Sequence, residues 1–124
     1  MTSPRPSWVS KFRVAIRGAI RSVQTQRSFW VHLPVMLAVL IVAAWLQVEP
    51  WRWTALVIVI GVVLAAELIN TSIEQMVAVL HPAHHERIGD ALDAAAAAVL
   101  VAAVAAVAVG LLTLGPPLWQ TLAG

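Results

Sequence analysis

Glu67, Asn70 and Glu74 are the residues of this chain best suited to chemistry. Spacings of three and four residues place all three on one face of a helix. At 1.5 Å of rise per residue the two carboxylates lie about 10 Å apart along its axis. Glu67 directly follows a largely apolar run from Trp53 to Ala66. An ionisable side chain at the end of a lipid-facing segment is costly to keep there, which points to function. The same three residues also admit a second reading, as a hydrogen-bonding network that glues membrane helices together. Asp93, which opens the next apolar stretch, adds a third carboxylate at a comparable depth. Three carboxylates and an amide at one level suit a divalent cation, above all magnesium shared with phosphates.

The remaining polar side chains carry weaker signals. His81, His84 and His85 are spaced so that two of them can share one side of a turn, as zinc requires. They sit in the polar stretch 81–93, interrupted by Pro82, and an exposed connecting loop is the favoured reading. His32 and Pro34 are assigned to packing and to the start of a helix. With no cysteine in the chain, disulfides, thiolate nucleophiles and cysteine-based metal sites are excluded.

The elements that position these residues belong to a membrane protein. The chain has 124 residues, of which 60% are hydrophobic and 11% charged, and its mean hydropathy is +0.85. A soluble domain of this size cannot hide so much apolar surface in one core, so the bilayer is its solvent. Residues 1–7, with two prolines and two serines, are expected to be disordered. From Trp8 to Ser28, Val9, Phe12, Ile16, Ile20 and Val23 recur at helical spacing, while Arg13, Arg17 and Arg21 form a neighbouring strip. That pattern predicts an amphipathic helix in the membrane interface with its arginines on lipid phosphates. The alternative is a solvated charged face on a helix packed against protein.

Three spans follow, over about 30–48, 53–80 and 94–114, the second continuing past the membrane edge. Glu49 to Trp53 is read as a short turn, with Trp45, Trp51 and Trp53 in an aromatic belt. Pro82 closes the second long helix and Gly115-Pro116-Pro117 closes the third. The fold expected is therefore all-α: a surface helix plus three transmembrane helices in a single membrane domain over 8–124. With the N-terminus in the cytoplasm, seven of the eight cations lie inside and only Arg52 lies outside, as the positive-inside rule favours. The basic N-terminal segment reads as a contact with anionic membrane lipid rather than with nucleic acid. It is not read as a cleavable leader. Gly61 and Ala65, and the alanines of the third span, offer small faces for helix association, although alanine is also simply a good helix former. A transporter is disfavoured because the polar residues cluster at one end of the spans.

The run from Ala66 through Val77 (AELINTSIEQMV) resembles the signature of the prokaryotic diacylglycerol kinase and undecaprenol kinase family. Phe12, Ala15 and Gly18 are similar to that family's surface helix. Thr25-Gln26-Arg27-Ser28-Phe29 with His32 is similar to its lead-in to the first span, and Asp93 through Leu100 to the opening of its third. The resemblance implies a homotrimer in the inner membrane of a prokaryote that moves the γ-phosphate of ATP onto a lipid alcohol at the cytoplasmic face. It implies Glu67 as general base on the lipid hydroxyl, and Glu74 with Gln26 as holders of Mg2+. Asn70, Glu74, Asp93, Arg13 and Arg17 are implied as nucleotide-binding. Four positions depart from the family pattern: Ala78 and Gln26 stand where acids are expected, Leu92 where a lysine is, and Ser28 where an asparagine is. A missing cation and a missing carboxylate remove charge stabilisation from a phosphoryl-transfer site. The alternative reading is accordingly a catalytically weakened or inactive member that binds lipid or scaffolds other membrane proteins.

Overall fold

A computed structural model describes residues 3–124, and all the regular structure among them is helical. The helices are α1 (Trp8–Thr25), α2 (Arg27–Leu46), α3 (Pro50–Leu80) and α4 (Glu86–Ala123). Of the segment expected to be disordered, Met1 and Thr2 lie outside the described residues, and Ser3 to Ser7 precede α1 without regular structure. Ser7 caps α1 by accepting the Ser10 N–H at 3.2 Å, which satisfies one of the donors left free at a helix start. No residue of α1 is buried, and Trp8, Phe12, Ile16 and Ile20 all stand exposed. The helix ends at Thr25 rather than at Ser28, because Gln26 is extended (φ −105°, ψ 125°). The bend falls where an arginine-bearing amphipathic pattern gives way to an apolar one, two segments that need different surroundings. No glycine or proline marks it.

α2 closes at Leu46 on Gln47 in the left-handed conformation (φ 51°), whose N–H reaches the carbonyls of Ala43 and Ala44. The Val48 N–H bonds the Ala43 carbonyl as well, so the last turn is capped without a glycine. The connection to α3 is therefore shorter than the expected Glu49–Trp53 turn. Pro50 opens α3 at a position where its missing N–H has no partner to lose. At the far end α3 stops at Leu80. His81 leaves the helical region (φ −146°, ψ 73°), as a residue before proline tends to.

Gly115-Pro116-Pro117 was expected to end the last helix, and the structure corrects this: α4 runs unbroken through both prolines to Ala123. Pro116 and Pro117 have no N–H for the carbonyls of Leu112 and Thr113, four residues back. Both carbonyls instead accept from Arg52 Nη1, at 2.8 Å for Thr113 and 3.5 Å for Leu112. A guanidinium from the start of α3 thus occupies the gap that the prolines open.

α3 and α4 pack against each other along much of their length, while α2 meets both more sparsely. A buried cluster of Ala43, Val48, Leu56 and Leu114, flanked by Trp53, ties the three helices together at the Gln47–Glu49 end. Most of the apolar surface faces outward, and α2, α3 and α4 are each long and apolar enough to cross a membrane. The small-residue faces are little used inside the chain. Of the alanines on α4, Ala102 alone is buried, and nothing approaches Gly61 on α3.

Candidate active site

Glu67 is the centre of the site, and it is 2% exposed. A buried carboxylate is tolerable only when its oxygens are hydrogen-bonded, and here both are. Ser28 Oγ donates to Oε2 at 2.8 Å, and His32 Nε2 lies 3.0 Å from Oε1. Both partners come from the first two turns of α2. They stand four residues apart and so project from one face, with the fully buried Phe29 between them fixing that turn in place. Thr71, one turn beyond Glu67 on α3, is also buried.

The other residues of the α3 strip reach outward by steps. Asn70 is half-buried and Glu74 exposed. The Asn70 amide Nδ2 donates to Glu74 Oε1 at 3.0 Å, which leaves Asn70 Oδ1 buried without a partner. One helix face therefore carries a sealed carboxylate and, one and two turns nearer its C-terminal end, an amide oxygen and a carboxylate that can accept more. Magnesium binds through one or two carboxylates together with substrate phosphates, and the orphaned Oδ1 beside Glu74 fits that chemistry.

The remaining sequence candidates are spread around this strip. Gln26 is half-buried at the α1–α2 bend, Asp93 is exposed on α4, and Arg13 and Arg17 are exposed on α1. Arg13, Arg17 and Arg21 line a shallow concave surface on α1 with Gln24 and Thr25. Among the described residues no three histidines or acids come close enough to hold a metal. This corrects the expectation that Glu67, Asp93 and Glu74 form one cluster, because Glu67 is committed to α2. The loop histidines, for which an exposed connecting loop was the favoured reading, lie between α3 and α4 and are mostly exposed. His81 and His85 stack edge to face at 5.7 Å, and the Nδ1 atoms of both rings are engaged with backbone.

Sequence reasoning missed His32 and misjudged Ser28. The first was assigned to packing and the second noted only as a departure, yet both hold Glu67. The available signal was their spacing of four at the head of an otherwise apolar helix, which presents two polar groups to whatever packs there.

The family described as prokaryotic diacylglycerol kinase matches residues 13–114 of the chain. A diacylglycerol kinase of Synechocystis sp. is 38% identical over 114 residues, covering 91% of this chain and 65% of that protein, just under two thirds of its length. An undecaprenol kinase of Bacillus subtilis is 36% identical over 102 residues, covering 82% of this chain and 83% of the relative. A diacylglycerol kinase of Escherichia coli is 32% identical over 104 residues, covering 77% and 84%.

Proposed function

The chain belongs to the prokaryotic diacylglycerol kinase family, and from that premise we propose that it phosphorylates a membrane lipid alcohol, diacylglycerol or undecaprenol, with ATP and Mg2+. The observation that carries this reading is a buried carboxylate midway along a helix longer than a membrane span, with both oxygens held, one turn from a half-buried amide and two turns from an exposed carboxylate. A lipid hydroxyl approaches from the bilayer side and nucleotide from the water side. Phosphoryl transfer asks little covalent chemistry of the protein beyond positioning and charge stabilisation.

In this reading Glu67 is the general base. The hydroxyl loses its proton, its oxygen bonds the γ-phosphorus, and the bond from that phosphorus to the bridging oxygen breaks with ADP leaving. Glu74 and Gln26 hold the magnesium, with Asn70 Oδ1 available beside Glu74. Asn70, Glu74, Asp93, Arg13 and Arg17 hold the nucleotide. Bound Mg2+ supplies neutralisation of charge on the phosphates. The chain lies in the inner membrane of a prokaryote with its N-terminus in the cytoplasm, which puts seven of eight cations on that side. α1 rests in the interface, its exposed apolar residues toward the acyl chains and its arginines toward phosphates. The working form is a homotrimer, as in the family it resembles, and the unused small faces on α3 and α4 suit such association.

Phosphate transfer from labelled ATP in mixed micelles, with each lipid supplied alone, tests the reading. Labelled phosphatidic acid or labelled undecaprenyl phosphate names the substrate. Transfer to neither lipid by a folded protein rejects the kinase reading and leaves a lipid-binding or scaffolding relative.

A further inference from the structure

We propose that the turn between α3 and α4 is a pH-sensitive catch, closed by neutral His85 and released when that ring is protonated, and that its release weakens nucleotide binding. The effect on nucleotide rests on the lipid-kinase reading, whereas the catch rests on the turn alone. His81 to His85 join the two longest helices of the chain. Their rings close the turn on itself: His81, the first residue past α3, meets His85, the last before α4, edge to face at 5.7 Å. Both ends of the turn sit on elements that carry site residues. Glu74 lies two turns before His81 on α3, and Asp93 lies just over two turns after His85 on α4.

The backbone holds the two rings in opposite tautomers. His81 Nδ1 lies 2.8 Å from the Ala83 carbonyl oxygen. A carbonyl only accepts, so His81 Nδ1 carries a proton, and that bond is the same whether the ring is neutral or charged. His85 Nδ1 instead accepts the Arg87 N–H at 3.2 Å, a bond that exists only while Nδ1 has no proton. It satisfies one of the free donors at the start of α4, a task usually given to Asn, Asp or Ser. His85 is therefore the ring that responds to pH. Its protonation removes the acceptor, turns one N–H toward another, and sets a positive charge at the positive end of the α4 dipole. Histidine changes charge between about pH 5 and 8, so the cap is present above that range and lost as pH falls through it. The neighbouring groups do not offset this. His81 and His84 gain charge of the same sign, Arg87 is a cation, and α3 has no charged residue after Glu74. Glu86 and Asp90 form no ion pair with His85 among the described residues. Without the cap the first turn of α4 frays, the contact between the rings is lost, and Glu74 and Asp93 are no longer held in register.

Amide hydrogen exchange and MgATP binding in mixed micelles test this on the native chain, His85→Asn and His85→Ala. Each is measured at about pH 7.5 and about pH 5.5, toward the two ends of the histidine range. Asn caps a helix through its side-chain oxygen and does not titrate, whereas Ala cannot cap. After correction for the intrinsic pH dependence of exchange, protection of the Arg87 amide is expected to fall about fivefold on acidification of the native chain, the scale of one helix cap. It is expected to hold in His85→Asn and to be low at both pH values in His85→Ala. Kd for MgATP, read by displacement of a fluorescent ATP analogue, is expected to follow the same pattern, rising about fivefold more in the native chain than in His85→Asn. A native chain and His85→Asn that respond alike in either measurement overturn the proposal, as does native-like acid sensitivity in His85→Ala. Those results leave the kinase reading standing, whereas a native chain that binds no MgATP at either pH removes both.

Discussion

Replacing Arg52 by Gln is expected to weaken the α3–α4 pairing, and the structure sets the size of the effect. The guanidinium makes one well-formed hydrogen bond, 2.8 Å to the Thr113 carbonyl, and one marginal contact, 3.5 Å to that of Leu112. A hydrogen bond with a charged partner contributes about 1.5–3 kcal/mol, and the marginal contact adds little. The loss is therefore about 2 kcal/mol, close to a 30-fold shift in the folded fraction when about 1.4 kcal/mol is a factor of ten. The mechanism makes a sharper demand than the magnitude. Pro116→Ala with Pro117→Ala returns two N–H donors to the ladder, so the Leu112 and Thr113 carbonyls no longer need Arg52. In that background Arg52→Gln should cost only a few tenths of a kcal/mol, giving a coupling energy of about 1.5–2 kcal/mol in a double-mutant cycle. Reversible unfolding in mixed micelles supplies the four free energies. Equal costs of Arg52→Gln in both backgrounds would refute the reasoning and leave Arg52 as an interfacial cation held by Glu49 and the Trp51 ring.

Three further outcomes follow from the same geometry. Ser28→Ala removes the hydrogen bond to Glu67 Oε2, and phosphate transfer should fall about tenfold, the lower end for a charge-assisted bond, with KM for ATP little changed; native turnover would show that Ser28 is incidental. Gln26→Glu puts a carboxylate at the α1–α2 bend, so half-maximal activity should be reached at lower magnesium, and an unmoved or higher requirement would take Gln26 out of the metal site. As the chain has no cysteine, His84→Cys and Trp119→Cys can be labelled singly in intact cells. A membrane-impermeant maleimide should reach the second and spare the first, and the reverse pattern would invert the assigned topology.

How much of this was legible in the sequence depends on which interaction set each feature. The long helices follow from largely apolar composition, a signal carried by many residues, so α2 and α3 stand close to the expected 30–48 and 53–80, whereas α4, over Glu86–Ala123, overruns the expected 94–114 at both ends. Helix ends follow from single residues whose effect depends on tertiary partners. α3 ends just before Pro82, with His81 outside the helical region, whereas Pro116 and Pro117 do not end α4, and Arg52, sixty or more residues earlier, takes up the carbonyls they abandon. The bend at Gln26 has no local marker at all. In the candidate site the α3 strip was readable from its helical spacing, which needs no partner. Its division into a buried Glu67, a half-buried Asn70 and an exposed Glu74 was not, since that depends on which side α2 approaches. The contacts of Ser28 and His32 with Glu67 were not readable for the same reason: they exist only across thirty-five or more positions of the chain.

The central claim is that Glu67 drives phosphate transfer to a membrane lipid. The direct measurement is the rate of label transfer from ATP to diacylglycerol and to undecaprenol, for the native chain beside Glu67→Gln. Gln preserves the shape and a hydrogen-bonding oxygen for Ser28 or His32, so the fold is retained while the base is lost, and unfolding in the same micelles verifies this. The account predicts transfer by the native chain to at least one of the two lipids and a fall of at least 100-fold in the variant, the scale on which a general base contributes. A folded Glu67→Gln chain that phosphorylates lipid as fast as the native one would contradict it.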